Sequence, residues 1–286
     1  MTRAIYSGMD ATSATVDAGG AKIPALGFGT YGMAGARLQN VLVAALQRGF
    51  RHIDTAQMYQ NEADVGVAIR ASGVPRDAIF VTTKVWVGNY IRERFMASVD
   101  ESLHRLQTDY IDLLLVHWPR GGALLEDQIE GLNRAVDSGK ARYIGVSNYN
   151  VAMMREAAAW TTHPLVTNQV EYHPFLDQTA VLQQVASGGS SLMAYCGMAV
   201  GRVFDTLLLK DMAAHHGRSV AQIVLRWLIQ QPNVVALSRT EKIARLPQNT
   251  DIFDFALSDD DMAAIGTLKS PGSRIVNPPH LAPAWD

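Results

Sequence analysis

The chain has 286 residues, 48% hydrophobic and 18% charged, with a net charge of −2 and one cysteine. That balance gives no electrostatic case for a nucleic-acid or anionic-membrane partner, and the lone Cys196 excludes an intrachain disulfide or a zinc-ribbon arrangement. No apolar run approaches the roughly 18 residues of a membrane helix, and the opening MTRAIYSGMDATSATV lacks the apolar segment of a signal peptide, so a cytoplasmic protein is expected.

Residues 1–13 read as a loose tail. TVDAGGAKIPALGFG reads as a β-hairpin turning at Gly19-Gly20, with a short strand beyond Pro24. The pattern then alternates. Strand-like apolar runs fall at 51–56, 79–86, 110–118, 141–148, 165–172, 191–196 and 233–238, and the segment around Leu26 makes eight. Helical segments with a 3.6-residue apolar period separate most of them: ARLQNVLVAALQRG, RERFMASVDESLHRL, EDQIEGLNRAVDSG and SVAQIVLRWLIQQ. The last opens with Ser219 and Gln222 at capping-box spacing, and glycines such as Gly49 and Gly139 stop helices. Strands alternating with helices imply parallel pairing through right-handed crossovers. Eight such units close into a (β/α)8 TIM barrel, an α/β fold of about 250 residues, so one domain is expected over 1–286 with the hairpin at its N-terminal end.

GFGTYG tests that reading. Gly27, Gly29 and Gly32 spell G-x-G-x-x-G, and Asp54 lies 22 residues past Gly32, as in a dinucleotide fingerprint. The fingerprint's last glycine belongs in the first turn of a helix. Here Gly35 intervenes before the helical pattern begins, and a strand-to-helix loop at a barrel rim is the better reading.

In a TIM barrel chemistry sits where strands end. Asp54 ends RHID, Lys84 ends VTTK and His117 ends LLLVH, while Tyr59 follows Asp54 in the same loop. Separately these are a helix cap, a costly lysine, a core histidine and a packing ring. Together they suit carbonyl reduction. Hydride arriving at a carbonyl carbon leaves an alkoxide that needs a proton, and tyrosine is a weak acid with a pKa of about 10. A lysine ammonium about 4 Å away favours tyrosinate by about 4 kcal/mol at an effective dielectric of about 20. That lowers the tyrosine pKa by up to about 3 before burial opposes it. Asp54 would hold Lys84 charged, and His117 would orient the substrate oxygen. Trp86 and Trp118, following Lys84 and His117, supply aromatic walls for a small organic carbonyl. A competing reading uses His52 and Asp54, on one face of a strand, as ligands of a metal-dependent hydrolase. It requires Lys84 to be chemically modified and lacks a close-spaced histidine pair.

The motifs IDTAQMYQNEADVG, VTTKVW, LLLVHWP, IGVSNYN and NQVEYHP resemble the aldo-keto reductase family, in order and spacing, from about Thr15 to Asp286. SGVPR and the ending RIVNPPHLAPAWD are most similar to bacterial members that reduce 2,5-diketogluconate and methylglyoxal. The resemblance implies a catalytic tetrad of Asp54, Tyr59, Lys84 and His117, with Tyr59 as proton donor, and NADPH extended across the barrel mouth. It places Ser147, Asn148 and Gln169 on the nicotinamide carboxamide and Tyr195 against the ring. It brings Gly29, Thr30 and Tyr31 near the cofactor beside Asp54, and puts Cys196 and Met198 in the loop over the pyrophosphate. Arg239, Thr240 and Arg245 would hold the adenosine 2′-phosphate, with Gln248 and Asn249 on the adenine. Guanidinium groups bind phosphate bidentately, hence NADPH over NADH.

Two departures stand out: Ser238 where proline is usual, and Cys196-Gly197 where many members have Ser-Pro. The tail offers Arg274 or His280 to an anionic substrate such as a keto acid. The family habit is a monomer, and a barrel that merely holds cofactor is the non-enzymatic alternative.

Overall fold

The computed structural model describes residues 9–286; the first eight residues of the expected loose tail lie outside them. The remainder of that tail is ordered by one carboxylate. Asp10 Oδ1 accepts from the amide (2.9 Å) and hydroxyl (2.6 Å) of Thr12 and from the amide (3.1 Å) and hydroxyl (2.9 Å) of Ser13. Ala11 and Ala14 are buried beside this turn.

The hairpin pairs β1 (Thr15–Ala18) with β2 (Ala21–Pro24). Its corner is Gly19 and Gly20, at φ 53° and 86°, the left-handed backbone that a two-residue turn of this kind demands. Next come β3 (Leu26–Gly29), β4 (His52–Asp54), β5 (Phe80–Val85), β6 (Ile111–Val116), β7 (Ala141–Ser147), β8 (Leu165–Glu171), β9 (Ser191–Tyr195) and β10 (Val234–Ser238). They pair in parallel in chain order, and β10 closes on β3. Their near-unbroken burial is that of strands covered on both sides.

The barrel's helices are α1 (Gly35–Arg48), α2 (Glu62–Ala71), α3 (Arg92–Leu106), α4 (Leu125–Asp137), α5 (Val151–Trp160), α6 (Thr179–Ser187), α7 (Leu207–His216) and α8 (Val220–Ile229). Then follow α9 (Leu246–Thr250) and α10 (Asp259–Gly266). In α1 the buried residues are Leu38, Val41, Leu42, Ala45 and Leu46, one face of a 3.6-residue period, and Gly49 ends it at φ 116°. Ser219 and Gln222 form the expected capping box on α8. Ser258 and Asp261 form a second on α10, which periodicity does not reveal in so short a helix.

GFGTYG is not a phosphate cradle. Gly35 does not delay the helix, as the sequence suggests, but is its first residue. Its amide donates to Asp64 Oδ2 at 2.7 Å, so a carboxylate from α2 already occupies the donor end of α1. Gly27 is required by packing, because a Cβ there would stand 2.6 Å from Leu237 and 2.8 Å from His52.

His52 lies inside the barrel with Nε2 2.9 Å from Thr82 Oγ1 and Nδ1 without a partner. Burial depresses its pKa to about 4, against a smaller opposing pull from Asp54. An unfolded histidine titrates near 6.5. The unfolded chain therefore binds a proton that the folded chain refuses between those values, and stability falls as pH drops from about 6.5 to about 4. The loss from this residue is at most about 3 kcal/mol. His52→Asn should flatten denaturation midpoints over that window; wild-type and variant curves that stay parallel would contradict the assignment.

Candidate active site

Three successive strand ends converge on one buried ammonium. Lys84, at the end of β5, donates from Nζ to Asp54 Oδ1 at 2.7 Å, to the Thr55 carbonyl at 3.0 Å and to the Tyr59 hydroxyl at 3.2 Å. Lys84 and Asp54 are buried, while Tyr59 is half-buried at the mouth. Tyr59 stands on a single helical turn, Gln57–Tyr59, closed by Gln60 at φ 55°. Gln57 pins that turn. Its amide nitrogen donates to Ser98 O and Ser102 Oγ, and its oxygen accepts from Trp86 N at 2.8 Å and Asn89 Nδ2 at 2.9 Å. The tyrosine and the Trp86 wall are thus one braced unit.

His117 follows β6 and completes the set. Its ring centroid is 5.7 Å from that of Tyr59 and 5.4 Å from that of Trp86, edge to face. Burial, then the Lys84 charge, pushes its pKa well below the usual range, so the imidazole is neutral at pH 7. Its Nδ1 is buried without a partner. Trp118, next in the chain, is buried and exchanges backbone hydrogen bonds with the Tyr90 hydroxyl.

The expected lowering of the Tyr59 pKa is not found. Burial raises it well above 10, and the carboxylate of Asp54 pushes the same way. Burial is the larger cause, and the Asp54 carboxylate, ion-paired with Lys84 at 2.7 Å, adds to it rather than leaving the lysine charge to act alone on the hydroxyl. Burial likewise lowers Lys84, opposed by Asp54. Tyr59 is therefore a protonated hydroxyl at neutral pH with a cation in contact.

A second network joins this centre at Asp54. Gln169 on β8 donates from Nε2 to Asp54 Oδ2 at 2.7 Å and lies 2.9 Å from Met193 Sδ. Ser147 Oγ donates to the Gln169 carbonyl at 2.8 Å. Asn148, held at φ 63°, donates from Nδ2 to the His117 carbonyl at 3.0 Å and to Ser147 Oγ at 3.1 Å, and accepts from the Tyr195 hydroxyl at 2.7 Å. Thr30, buried after β3, donates through both its amide and its hydroxyl to the Asp54 carbonyl at 3.0 Å. The Tyr31 ring packs edge-on to Tyr59 at 5.1 Å and is exposed.

The residues expected at the phosphate end lie apart, at the rim after β10. Arg239 is exposed and Thr240 buried, with the Thr240 hydroxyl accepting from Lys242 N. Arg245 and Gln248 are exposed. Asn249 is buried and donates to Ser238 Oγ at 3.1 Å, an acceptor that the usual proline lacks. Cys196-Gly197 opens a tightly wound loop: Cys196, Ala199, Val200 and Gly201 all have positive φ, unfavourable for β-branched Val200. Burial raises the Cys196 thiol to about 11, so it stays protonated. Met198 is half-buried against the core.

Sequence reasoning missed Glu171 and Trp285. Glu171, at the end of β8, accepts from the amides of Ile275 (2.8 Å) and Val276 (2.7 Å) and pairs with His173 at 2.9 Å. Burial alone would raise its pKa, but these bonds outweigh it and hold the carboxylate below its usual range. The tail is thereby strapped over β8. Trp285 lies 3.6 Å under the Arg274 guanidinium and 6.5 Å from Trp118. The Arg274 Nη1 is buried with no hydrogen-bond partner, whereas His280 is simply exposed.

Residues 25–269 match the Aldo/keto reductase family. The chain belongs to that family. Membership makes it an oxidoreductase that reduces carbonyl compounds with NADP(H), and thereby displaces the metal-hydrolase reading of His52 and Asp54. Methylglyoxal reductase DkgB of Yersinia pestis is 38% identical over 92% of this chain and 99% of its own length. Glyoxal reductase of Bacillus subtilis is also 38% identical, over 92% and 95%. A solved protein provisionally called 2,5-diketo-D-gluconic acid reductase B superposes with a TM-score of 0.94 at 52% identity, covering 96% of this chain and 99% of that one. A Bombyx mori aldo-keto reductase in complex with NADP gives 0.84 at 32%, covering 90% and 92%. Among the described residues no helix of this aldo-keto reductase is long and apolar enough to cross a membrane.

Proposed function

We propose that this aldo-keto reductase reduces small aldehydes and ketones with NADPH, with Tyr59 as proton donor. One observation carries the reading: a Tyr59 hydroxyl at the mouth, 3.2 Å from a buried ammonium that is itself paired with a carboxylate. Bound NADPH supplies the hydride. As charge develops on the substrate oxygen, the Tyr59 proton moves to it, and Lys84 offsets the charge left on the phenol oxygen. Neutral His117 donates one N–H to the same oxygen and fixes its direction. Tyr59 holds its proton in the resting site, and the contact with the Lys84 ammonium lowers the cost of releasing it once the alkoxide forms.

The residues present fit the cofactor. Gln169 Nε2 is committed to an acceptor-only carboxylate, which fixes the amide orientation and turns its oxygen toward another donor. With Ser147 and Asn148 it offers the mixed donors and acceptors that a carboxamide needs, beside the aromatic face of half-buried Tyr195. At the far end Arg239, Thr240 and Arg245 would take the 2′-phosphate and Gln248 and Asn249 the adenine. Thr30, Tyr31, Cys196 and Met198 frame the span between, and the enzyme acts as a monomer.

Trp86 and Trp118 restrict the substrate to a small carbonyl compound: a methylglyoxal-like aldehyde, or a keto acid or keto sugar such as 2,5-diketogluconate. The unpartnered Arg274 Nη1 favours a substrate bearing an anion. Arg274→Ala should raise KM about tenfold or more for an anionic keto acid, the loss of one charge-assisted hydrogen bond, and leave KM for methylglyoxal unchanged. Equal effects on both substrates would assign Arg274 to holding the tail.

A further inference from the structure

At the junction of β10 and β3 an acid sits between two arginines. Glu241 Oε1 is 2.5 Å from Arg239 Nη2, and its Oε2 pairs with Arg37 in the first turn of α1. Arg239 Nε also donates to the Tyr31 carbonyl at 2.6 Å. One carboxylate thus ties the segment after β10 to the loop after β3, and it remains only a quarter exposed while doing so. Arg239 is one of the residues that the cofactor reading gives to the adenosine 2′-phosphate. A carboxylate offers a guanidinium the same paired oxygens that a phosphate offers. The two anions compete for the same N–H groups, and if both stayed close their like charges would repel.

We propose that Glu241 is an internal counter-ion of the 2′-phosphate subsite. In the free protein it holds Arg239 and Arg37 in place. When NADPH binds, the phosphate takes its position on Arg239, and that exchange limits the preference for NADPH over NADH. NADH carries a 2′-hydroxyl, which can donate to the carboxylate instead of displacing it. Glu241 thereby sets specificity as a difference between two affinities, an inference that rests on the NADPH reading above.

The test is the Kd of wild type, Glu241→Gln and Glu241→Ala for NADPH and for NADH, by quenching of protein fluorescence at low salt. Both variants should bind NADPH about threefold to tenfold more tightly, the range expected when one or two exposed ion pairs no longer have to be given up. Neither should bind NADH more tightly. Unchanged NADPH affinity, or weaker NADPH binding in the variants, would overturn the inference and make Glu241 a strut for the arginines. Absence of saturable NADPH binding to wild type would overturn the cofactor reading and this inference with it.

Discussion

Tyr59→Phe should lower kcat for carbonyl reduction by about 10²–10⁴-fold, the contribution of a well-placed general acid, while the Kd for NADPH is unchanged. The substitution removes one oxygen. It leaves the ring against Tyr31 and His117, and Lys84 keeps its bonds to Asp54 and the Thr55 carbonyl. The site should therefore stay assembled without its proton source. KM for a small aldehyde should change less than kcat, because the hydroxyl matters most once the alkoxide forms. Equal slow turnover by wild type and variant would contradict this, and would favour a barrel that holds cofactor without catalytic purpose.

Lys84→Met should abolish activity and also destabilise the fold, by about 3–5 kcal/mol, because removing one partner leaves the Asp54 carboxylate buried and uncompensated. Only the Gln169 amide, at 2.7 Å, would remain on its side chain. The double variant Asp54→Asn/Lys84→Met should recover much of that stability, since a buried ion pair is commonly replaceable by neutral groups. It should remain inactive, because nothing then offsets charge on the Tyr59 oxygen. Denaturant unfolding of the three proteins separates the effects. A Lys84→Met protein as stable as wild type would show that Asp54 is solvated or protonated in its absence.

The barrel was readable because buried parallel strands write themselves as apolar runs, and the site because three successive runs end on an ionisable residue that is costly in a core. Asp54, Lys84 and His117 announced a site in that way, and the family resemblance supplied roles for Ser147, Asn148, Gln169 and Tyr195. What escaped were partners far apart in the chain that only the folded barrel and its tail bring together. Gln169 meets Asp54 across 115 positions, and Glu171 meets Val276 across 105; no local pattern encodes either pair. The direction of the Tyr59 pKa differs from the expectation for a related reason: the sequence shows Lys84 and Asp54 beside the hydroxyl, but not how deeply the folded mouth buries it, and burial is the larger effect. Asp10 taught the same lesson at the other end, where a polar stretch read as loose is held by four hydrogen bonds to one oxygen.

The central claim is that this mouth reduces a small carbonyl with hydride from NADPH and a proton from Tyr59. The most direct measurement is the loss of NADPH absorbance with methylglyoxal, and with an anionic keto acid, in wild type and Tyr59→Phe side by side. The account predicts carbonyl-dependent NADPH consumption in wild type, one NADPH per alcohol formed, and its near disappearance in the variant. Cofactor binding without consumption on any small aldehyde or ketone, or consumption indifferent to Tyr59→Phe, would contradict it.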